Sequence, residues 1–429
     1  MAVPGATSAF DLPPAREWLG GGLTQRQSAL GHSPVCGREP GSIAIQGNRP
    51  DPVLPLSLYI HIPWCAKKCP YCDFNSHAVK APIPEADYVE ALLRDLDHEL
   101  RDAPEQRPLV SIFFGGGTPS LFSGAAIGRI LDGVAQRLAF NADIEITLEA
   151  NPGTAEAANF RDYRRAGVNR LSMGVQSLDD RHLKALGRIH GAQEAREAVA
   201  MARAAGFDNF NLDLMFALPT QTLDEAAADL HQLIALAPTH ISYYHLTLEP
   251  NTAFAAAPPP LPDSDAAYAM LEQGQQQLAA AGYAQYETSA YAQPGRAARH
   301  NRNYWTFGDY LGIGAGAHGK RTLEGRVERR ARHKHPKTYL ETAGSAASLQ
   351  EVRAVGGDEL AFEYCLNALR LHEGFAIADF EARTGLPFSL LEPRLEKQRR
   401  RGLIEMQNGQ VRPTPLGRDH LNTLLTDLL

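Results

Sequence analysis

The sequence has few cysteines, no long apolar run and no excess of basic charge. Its 429 residues include only five cysteines, too few for a disulfide framework, which favours a reducing compartment, the cytoplasm. No run approaches the roughly 18 consecutive apolar residues of a membrane-spanning helix. Acidic residues outnumber basic ones by 49 to 42, so charge predicts no general attraction to nucleic acid or membranes. These absences indicate a globular cytoplasmic protein without a membrane span.

The first 55 residues differ from the rest of the chain. They contain chain-breaking runs, at residues 13–14, 20–22 and 50–52, and no sustained periodicity. A basic segment followed by an apolar one is absent, so the stretch is not a secretory signal. We expect a flexible N-terminal extension over residues 1–55, for which an over-long start of the coding sequence is one explanation.

From residue 56 onward, apolar strand-like runs alternate with amphipathic helical stretches. Strands are expected at 58–62, 109–114, 144–149, 170–175, 211–216 and 240–248, and helices at 86–100, 125–138, 155–166, 192–205 and 223–236. Six such units predict an α/β fold with a parallel sheet, a partial (β/α)6 barrel over residues 56–260. In barrels, chemistry collects at the carboxyl ends of the strands. Residues 261–355 are expected to complete the barrel.

A change of pattern after residue 356 predicts a second, smaller domain. Helices are expected at 360–371 and 390–401, followed by a hairpin whose turn is Asn408-Gly409. Helices followed by a hairpin are typical of a winged-helix-like domain, which we assign to residues 356–429.

Three of the five cysteines lie within eight residues, directly after the first predicted strand. Cys65, Cys69 and Cys72 have the spacing C-x3-C-x2-C. A [4Fe–4S] cluster has four irons, so three thiolates leave one iron open to a ligand that is not protein. Zinc with a fourth ligand from His61, Asp73 or His77 is an alternative, as is a redox dithiol formed by Cys69 and Cys72.

Polar or glycine residues occur at or near the ends of the following strands. They are the run Gly115 to Pro119, then Glu149, Gln176, Arg188 twelve residues further on, and Asp213 within an apolar strand. Glycines let a backbone approach a ligand closely, an arginine fork can bind a carboxylate, and a buried Asp requires a polar partner. Because strand ends meet at one edge of a parallel sheet, these residues predict one shared ligand site.

The cysteine spacing, with the aromatic Tyr71 before the third cysteine, resembles that of the radical S-adenosylmethionine (SAM) enzymes. In that family the open iron is chelated by SAM, which one electron from the cluster cleaves to a 5′-deoxyadenosyl radical. The resemblance implies that Cys65, Cys69 and Cys72 hold a [4Fe–4S] cluster. Similarity to the coproporphyrinogen-oxidase-like members, from about residue 58 to the C-terminus, implies a SAM site formed by Tyr59, Tyr71, Phe74, Gly116, Gly117, Thr118, Glu149, Gln176, Arg188 and Asp213.

Phe74 separates two branches of that group. The oxygen-independent coproporphyrinogen III dehydrogenases carry a fourth cysteine where this chain has Phe74, so the chain resembles the HemW-type haem chaperones instead. The run from His300 to Trp305, H-N-x-x-Y-W, is similar to a haem-binding motif of those chaperones. The resemblance implies haem as cargo, with His300 as a candidate iron ligand, Asn301 beside it, and Tyr304 and Trp305 as flat surfaces for the porphyrin. His245 and His318 are rival ligands.

The expected partners are therefore haem, an acceptor haemoprotein and, in a homodimer, a second copy of the chain. Two other functions stay open: porphyrinogen decarboxylation, and binding of nucleic acid by an iron–sulfur or zinc protein. Basic clusters at residues 320–337 and 394–401 could be solvated faces, could pair with haem propionates, or could contact nucleic acid. The acidic net charge makes the nucleic-acid function the weaker prediction.

Overall fold

A computed structural model describes residues 54–153 and 158–429 of the chain. The expected flexible extension, with Cys36, lies outside the described residues except for its last two positions. The first residues of the helix predicted at 155–166 also fall outside them. No helix in the described ranges is long and apolar enough to cross a membrane.

Strands and helices alternate through the first half of the chain and become mixed after it. The strands are β1 (Leu56–Ile62), β2 (Trp64–Cys65), β3 (His77–Ala78), β4 (Leu109–Gly116), β5 (Phe140–Ala150), β6 (Arg170–Gln176), β7 (Phe210–Phe216), β8 (His240–His245), β9 (Ala284–Gln285), β10 (Ala290–Ala292), β11 (Asp309–Ile313), β12 (His318–Leu323), β13 (Arg326–Arg332), β14 (Leu349–Val355), β15 (Phe375–Ala376), β16 (Ile404–Gln407) and β17 (Gln410–Pro413). The α-helices are α1 (Glu85–Asp102), α2 (Gly124–Ala135), α3 (Phe160–Ala166), α4 (Asp180–Ala185), α5 (Ala192–Ala204), α6 (Leu223–Ala235), α7 (Ala253–Ala256), α8 (Ser264–Ala280), α9 (Arg299–Trp305), α10 (Pro336–Thr342), α11 (Gly357–Ala368), α12 (Ile377–Thr384), α13 (Glu392–Arg400), α14 (Pro415–Asp419) and α15 (Leu421–Thr426). Short 3₁₀ turns occur at Pro119–Leu121, Ala346–Ser348 and Phe388–Leu390.

The six predicted strands pair in chain order, and all are parallel. β1, β4, β5, β6, β7 and β8 are hydrogen-bonded neighbours in that sequence. This confirms the α/β class and the partial (β/α)6 barrel. The later segment extends both edges: β11 joins β1 in parallel, with antiparallel β12, β13 and β14 beyond it, while β10 and β9 extend the sheet from β8.

Side chains of the barrel strands alternate between an apolar outer face and a largely polar inner face. Along β6, for example, Leu171 and Met173 are fully buried in the main apolar core, while Arg170 and Ser172 line an internal cavity. Successive strand residues point to opposite faces, which produces this division. Barrel interiors are usually filled by branched apolar side chains. The polar inner face here surrounds a chamber instead.

The C-terminal part forms a small three-stranded sheet, in the order β15, β17, β16, with helices packed against it. The predicted hairpin is present, and Asn408 and Gly409 both have positive φ, 52° and 75°, as its tight turn requires. The prediction lacked the short strand β15 and the helix α12. A second apolar core underlies this part of the chain.

The basic run at residues 320–337 is mostly an internal ion-pair network. Arg332 is fully buried and contacts Asp95 at 3.1 Å and also Glu99, while Lys320 lies 2.9 Å from Asp309. Arg321 and Arg330 are also buried against Glu99. The expectation that these four side chains form a solvated face or meet haem propionates or nucleic acid is therefore wrong. Arg321, Arg330 and Arg332 join α1 to β12 and β13, and Lys320 joins β12 to β11.

Candidate functional site

The cysteine loop follows β1 and lies at the carboxyl end of the barrel, as predicted. Cys65 lies on β2, where its carbonyl accepts a hydrogen bond from Val79 N at 2.9 Å, and Cys72 N donates to Cys69 O at 3.2 Å. All three thiols are free and partly exposed. Among the described residues, no three His, Cys, Asp or Glu side chains lie close enough together to bind one metal ion. A zinc ion needs such gathering, whereas each cysteine of a cubane binds its own iron.

A hydrogen-bonded chain of side chains connects two of the cysteines. Arg188 donates to Cys69 Sγ at 3.4 Å and to Asn151 Oδ1 at 2.7 Å. Asn151 Nδ2 donates in turn to Thr118 Oγ1 at 3.1 Å, and Thr118 donates to Cys65 Sγ at 3.5 Å. Arg188 and Thr118 were predicted site residues, but Asn151 was not. The sequence contains a signal for Asn151, because this polar residue lies two positions after Glu149, at the end of the same predicted strand.

Burial governs the ionisation of this cluster of groups. It raises the pKa of Cys72 to about 11 and also raises the pKa of Cys65 above its ordinary value. Burial alone would lower the pKa of Arg188, but the adjacent Tyr71 and Cys69 groups raise it above its usual range, so the guanidinium stays charged. Metal binding deprotonates a coordinating thiol outright, so iron would reverse the effect of burial on the cysteines.

An outer cavity of about 120 Å³ lies beside the cysteines. Most of the predicted SAM residues line it: Tyr71, Phe74, Gly116, Gly117, Thr118, Glu149, Gln176 and Arg188. The two glycines are required by close packing in its wall. A Cβ at Gly117 would lie 2.5 Å from the Trp64 carbonyl oxygen, and one at Gly116, where φ is 115°, would lie 2.6 Å from the His61 ring.

Gln176 and Asp213 differ in how the structure uses them. Gln176 ends β6 with a positive φ of 71°, a rare conformation for a residue with a side chain, and its Oε1 accepts a hydrogen bond from Tyr244 at 2.8 Å. Asp213 lies in the middle of β7, fully buried, and Asn211 Nδ2 donates to its Oδ1 at 2.7 Å. Asp213 does not line either of these cavities, and its contact with SAM stays a prediction.

A larger inner chamber of about 310 Å³ adjoins the outer cavity and extends into the barrel. The residues that line both are Asp73, Phe74, Ser76, Gly116, Glu149, Ser172 and Tyr244. Tyr59, predicted as a SAM residue, lines this inner chamber rather than the outer cavity.

A chain of three residues runs through the wall of the inner chamber. Tyr59 OH lies 2.9 Å from His61 Nδ1, and His61 Nε2 lies 2.8 Å from the Asn75 carbonyl. Because a carbonyl only accepts, His61 carries its proton on Nε2 and accepts from Tyr59 at Nδ1. Burial lowers the pKa of His61 to about 4, which keeps the ring neutral at neutral pH.

His300 lines the inner chamber from the short helix α9, which packs against β1 and β4. Glu145 Oε1 lies 3.1 Å from His300 Nδ1 and accepts a hydrogen bond from the Arg299 backbone N–H at 3.0 Å. Burial would raise the pKa of Glu145, but the hydrogen bond from His300 and the nearby charge of Arg170 lower it to about 2. A permanent carboxylate therefore orients the imidazole. Asn301 also lines the chamber and donates to Tyr286 OH at 3.2 Å.

Tyr304 and Trp305, predicted to be flat surfaces for a porphyrin, do not face the inner chamber. Both are buried, 6% and 2% exposed, and neither lines the inner chamber. Tyr304 packs edge-on against Tyr310 at 4.8 Å, and the Arg370 guanidinium stacks 4.4 Å above the Trp305 ring. In this conformation they cannot offer flat faces to a porphyrin. Both rings anchor α9 by packing, and Tyr304, one turn after His300 on the same side of the helix, meets the imidazole edge-on with ring centroids 6.2 Å apart.

Several chamber residues were missed by sequence reasoning, chiefly Arg170, Ser172, Asn211, His240 and Ser242. Their signal was the polar residue at every second position of β6, β7 and β8. These strands were interpreted only as apolar runs, although strict alternation indicates two different faces. His318, a rival iron ligand, lines the inner chamber, and His245 lines the outer cavity.

Two family models match the chain, in the two regions just described. The model of the Radical SAM superfamily matches residues 59–233, which include the cysteine loop and the parallel strands up to β7. The model of the HemN C-terminal domain matches residues 357–420, the region of the small three-stranded sheet. The matched regions are those that hold the barrel and the second apolar core.

Relatives of known name cover nearly the whole described chain. Heme chaperone HemW of Escherichia coli is 52% identical over 372 residues, 86% of this chain and 97% of the relative. Heme chaperone HemW of Haemophilus influenzae is 51% identical over 375 residues, with the same coverage. The solved structure of coproporphyrinogen III oxidase (HemN) from Escherichia coli, described as a radical SAM enzyme, superposes with a TM-score of 0.75 at 24% identity, over 87% of this chain and 90% of that one. The chain therefore belongs to the radical SAM superfamily and, within it, to the HemW family.

Proposed function

We propose that this protein is a haem chaperone that binds a [4Fe–4S] cluster, SAM and haem and delivers the haem to an acceptor haemoprotein in the cytoplasm. Cys65, Cys69 and Cys72 would hold the cluster. Gly116, Gly117, Thr118, Glu149, Gln176 and Arg188 would hold SAM in the outer cavity. The names of the relatives and the geometry around His300 support the proposal.

The residues of the cysteine loop suit an iron–sulfur cluster and a charged ligand beside it. Three free thiols face a cavity, and the charged Arg188 contacts one of them, while its buried Nε has no hydrogen-bond partner in the part of the chain that the structure describes. An unpaired buried nitrogen of this kind is costly unless a ligand accepts from it. When bound, a cluster with one open iron supplies a site for the amino and carboxylate groups of SAM and a source of single electrons. The protein's part is to bind and orient both groups and to limit access of water.

The observation that carries the haem-binding part is the pairing of His300 with Glu145 in the chamber wall. Histidines that ligate metals generally donate from one ring nitrogen to a carboxylate, which fixes the other nitrogen as the ligand. Nδ1 of His300 is the nitrogen that meets Glu145, at 3.1 Å, so Nε2 is the proposed ligand of the haem iron. The chamber in which His300 lies adjoins the cysteine cavity, which would bring haem near the cluster and SAM.

Titration of the anaerobically reconstituted protein with haemin, followed by Soret absorbance, tests this proposal. We expect saturable binding that is weakened by at least about tenfold in His300→Ala, since an axial ligand is lost. His231→Ala, at an exposed position, is the matched control and should bind as the parent does. His318→Ala and His245→Ala test the two rival ligands. Absence of saturable binding in the parent protein would refute the haem-chaperone function.

Iron content tests the cluster separately from haem. Alanine at Cys65, Cys69 or Cys72 should reduce the iron bound per chain after reconstitution. Cys365→Ala is the control, because that thiol is fully buried in the second apolar core. Equal iron loss in the control would indicate a general folding defect rather than lost ligands.

Oxidative decarboxylation of a porphyrinogen is the second candidate function. The adjoining cavities favour it, because a substrate in the inner chamber would lie next to a SAM-binding site. Phe74, in place of a fourth cysteine, argues against it. Conversion of coproporphyrinogen to protoporphyrinogen by the reconstituted protein would establish this activity, whereas haem binding without such conversion would favour the chaperone.

A further inference from the structure

Arg170 is a buried cation that the SAM and haem sites, as proposed so far, leave without a role. It is the first residue of β6 and therefore lies toward the amino end of the barrel, away from the cysteines. It is only 2% exposed, it lines the inner chamber, and its Nε has no hydrogen-bond partner among the described residues. A guanidinium taken out of water needs a carboxylate or other acceptors around it.

The nearest carboxylate does not satisfy Arg170. Glu145 Oε2 lies 3.9 Å from Arg170 Nε, beyond hydrogen-bond distance. The other oxygen of Glu145 already accepts from His300 and from the Arg299 backbone. Glu145 thus balances part of the charge of Arg170 without using its donors. The planar fork of an arginine is suited to a carboxylate in two parallel hydrogen bonds.

Other charged groups leave the position beside Arg170 open to an anion. Glu287 also lines the chamber, but Arg370 pairs with it at 3.1 Å. In the sheet, Thr147 pairs with Arg170, and Glu149 pairs with Ser172. Glu149 therefore lies two residues, or about 6.6 Å, beyond the level of Arg170 toward the carboxyl end of the strands. Burial, with the nearby charges, lowers the pKa of His240 well below its ordinary value, so this neighbouring ring is neutral. Lys68 and Lys334 add positive charge at the opposite end of the chamber, beside the cysteine loop, where Asp73 also lines it.

We propose that Arg170 binds a carboxylate of the ligand that occupies the inner chamber. The proposal rests on the haem-chaperone function, under which that carboxylate is a propionate of the haem. Arg170 and His300 both contact Glu145, so the iron and the propionate would be recognised from adjacent positions. Arg170 would also select for a porphyrin whose propionates are ionised.

Haemin and its dimethyl ester provide the test, because they share the iron and the ring and differ in the carboxylates. We expect the parent protein to bind haemin about 10- to 100-fold more tightly than the ester, as expected for a buried charge-assisted hydrogen bond. R170Q should weaken haemin binding to the level of the ester and leave ester binding unchanged. R170K keeps the charge and loses the planar fork, so its affinity for haemin should lie between those of the parent and R170Q. R170K also provides the test if R170Q does not fold. R296Q is the control, since Arg296 is a surface residue paired with Asp208.

The outcomes separate this inference from the proposed function. Equal affinity of the parent for haemin and ester, or an unchanged preference in both Arg170 variants, would overturn the role of Arg170 and leave the chaperone function standing. No saturable haemin binding by the parent would overturn both. The SAM carboxylate is the other source of such a ligand. Weakened SAM binding in R170Q with an unchanged haemin preference would assign Arg170 to SAM and overturn the propionate proposal.

Discussion

Replacing Glu145 with glutamine tests whether a buried carboxylate orients His300. The pKa of this carboxyl is lowered from 4.5 to about 2, and each pKa unit corresponds to about 1.36 kcal/mol, so the fold favours the charged form by about 3.4 kcal/mol. The side chain is only 7% exposed, so solvent screens little of this energy. Glutamine keeps one carbonyl acceptor and loses the charge. We therefore expect Glu145→Gln to lower the free energy of unfolding at pH 7 by about 2–3 kcal/mol.

The pH dependence of this stabilisation follows from the lowered pKa. The unfolded chain binds a proton at this carboxyl near pH 4.5, whereas the folded chain does so only near pH 2. The contribution is therefore complete above pH 4.5 and is lost as the pH falls toward 2. The difference in unfolding free energy between parent and variant should shrink over that window.

Haem affinity is the functional measurement. Loss of a carboxylate that orients a metal-binding histidine typically weakens metal binding by about 10- to 100-fold. Glu363→Gln is the matched control, because Glu363 is a buried acid paired with Arg329 at 2.7 Å and does not line the inner chamber. Denaturant unfolding and Soret titration of the three proteins give both quantities. Unchanged haem affinity in Glu145→Gln, or equal weakening in Glu363→Gln, would refute an orienting role for Glu145.

Three further predictions concern the fold around the site. Arg332→Gln should lower the unfolding free energy by about 3–5 kcal/mol, because it leaves buried Asp95 without its cation and removes one of the three arginines that pair with Glu99. Arg326→Gln, 81% exposed at its side chain, should change it by less than about 0.5 kcal/mol in denaturant titrations. Gly117→Ala should destabilise the cysteine loop by about 1–3 kcal/mol and reduce iron incorporation, because the added Cβ would lie 2.5 Å from the Trp64 carbonyl oxygen. Gly153→Ala, whose added Cβ meets nothing within 4 Å, should retain the iron content of the parent. Burial and the charge of Arg188 lower the pKa of His190 to about 4, so its contribution to stability is present above pH 6.5 and lost as the pH falls to 4. His190→Gln should flatten that pH dependence in urea titrations of the cluster-free protein, and an unchanged slope would contradict this assignment.

Much of the barrel could be predicted because its signals are local. Each of the six predicted barrel strands overlaps an observed strand, namely β1, β4, β5, β6, β7 or β8. Apolar runs and helix periodicity are visible in the sequence because they depend on the side chains of neighbouring residues. The Asn408-Gly409 turn was equally predictable, because few residues adopt positive φ without strain. The short strand β15 and the helix α12 were missed, since their few residues gain stability mainly from packing on the second apolar core.

The basic run at residues 320–337 illustrates the opposite case. Its charges indicate a solvated surface, because charged side chains are rarely buried without partners. Asp95 and Glu99, the partners of Arg321, Arg330 and Arg332, lie more than 200 residues earlier, on one face of α1. No local pattern reveals a pairing across that separation, so the sequence could not distinguish an ion-pair network from a binding surface.

The sequence by itself determined which reactive side chains are available. It also determined the end of the barrel at which the cysteines and the strand-end residues lie. Three cysteines directly after the first strand, and glycine or polar residues at or near the ends of later ones, specify that end, because parallel strands all terminate there. Only the tertiary structure decided that His300 faces the chamber adjoining the cysteine cavity, with Glu145 behind it, and that Tyr304 and Trp305 do not. The position of α9 relative to β5 and β6 arises from packing between segments more than 120 residues apart. Periodicity along the chain contains no information about that packing.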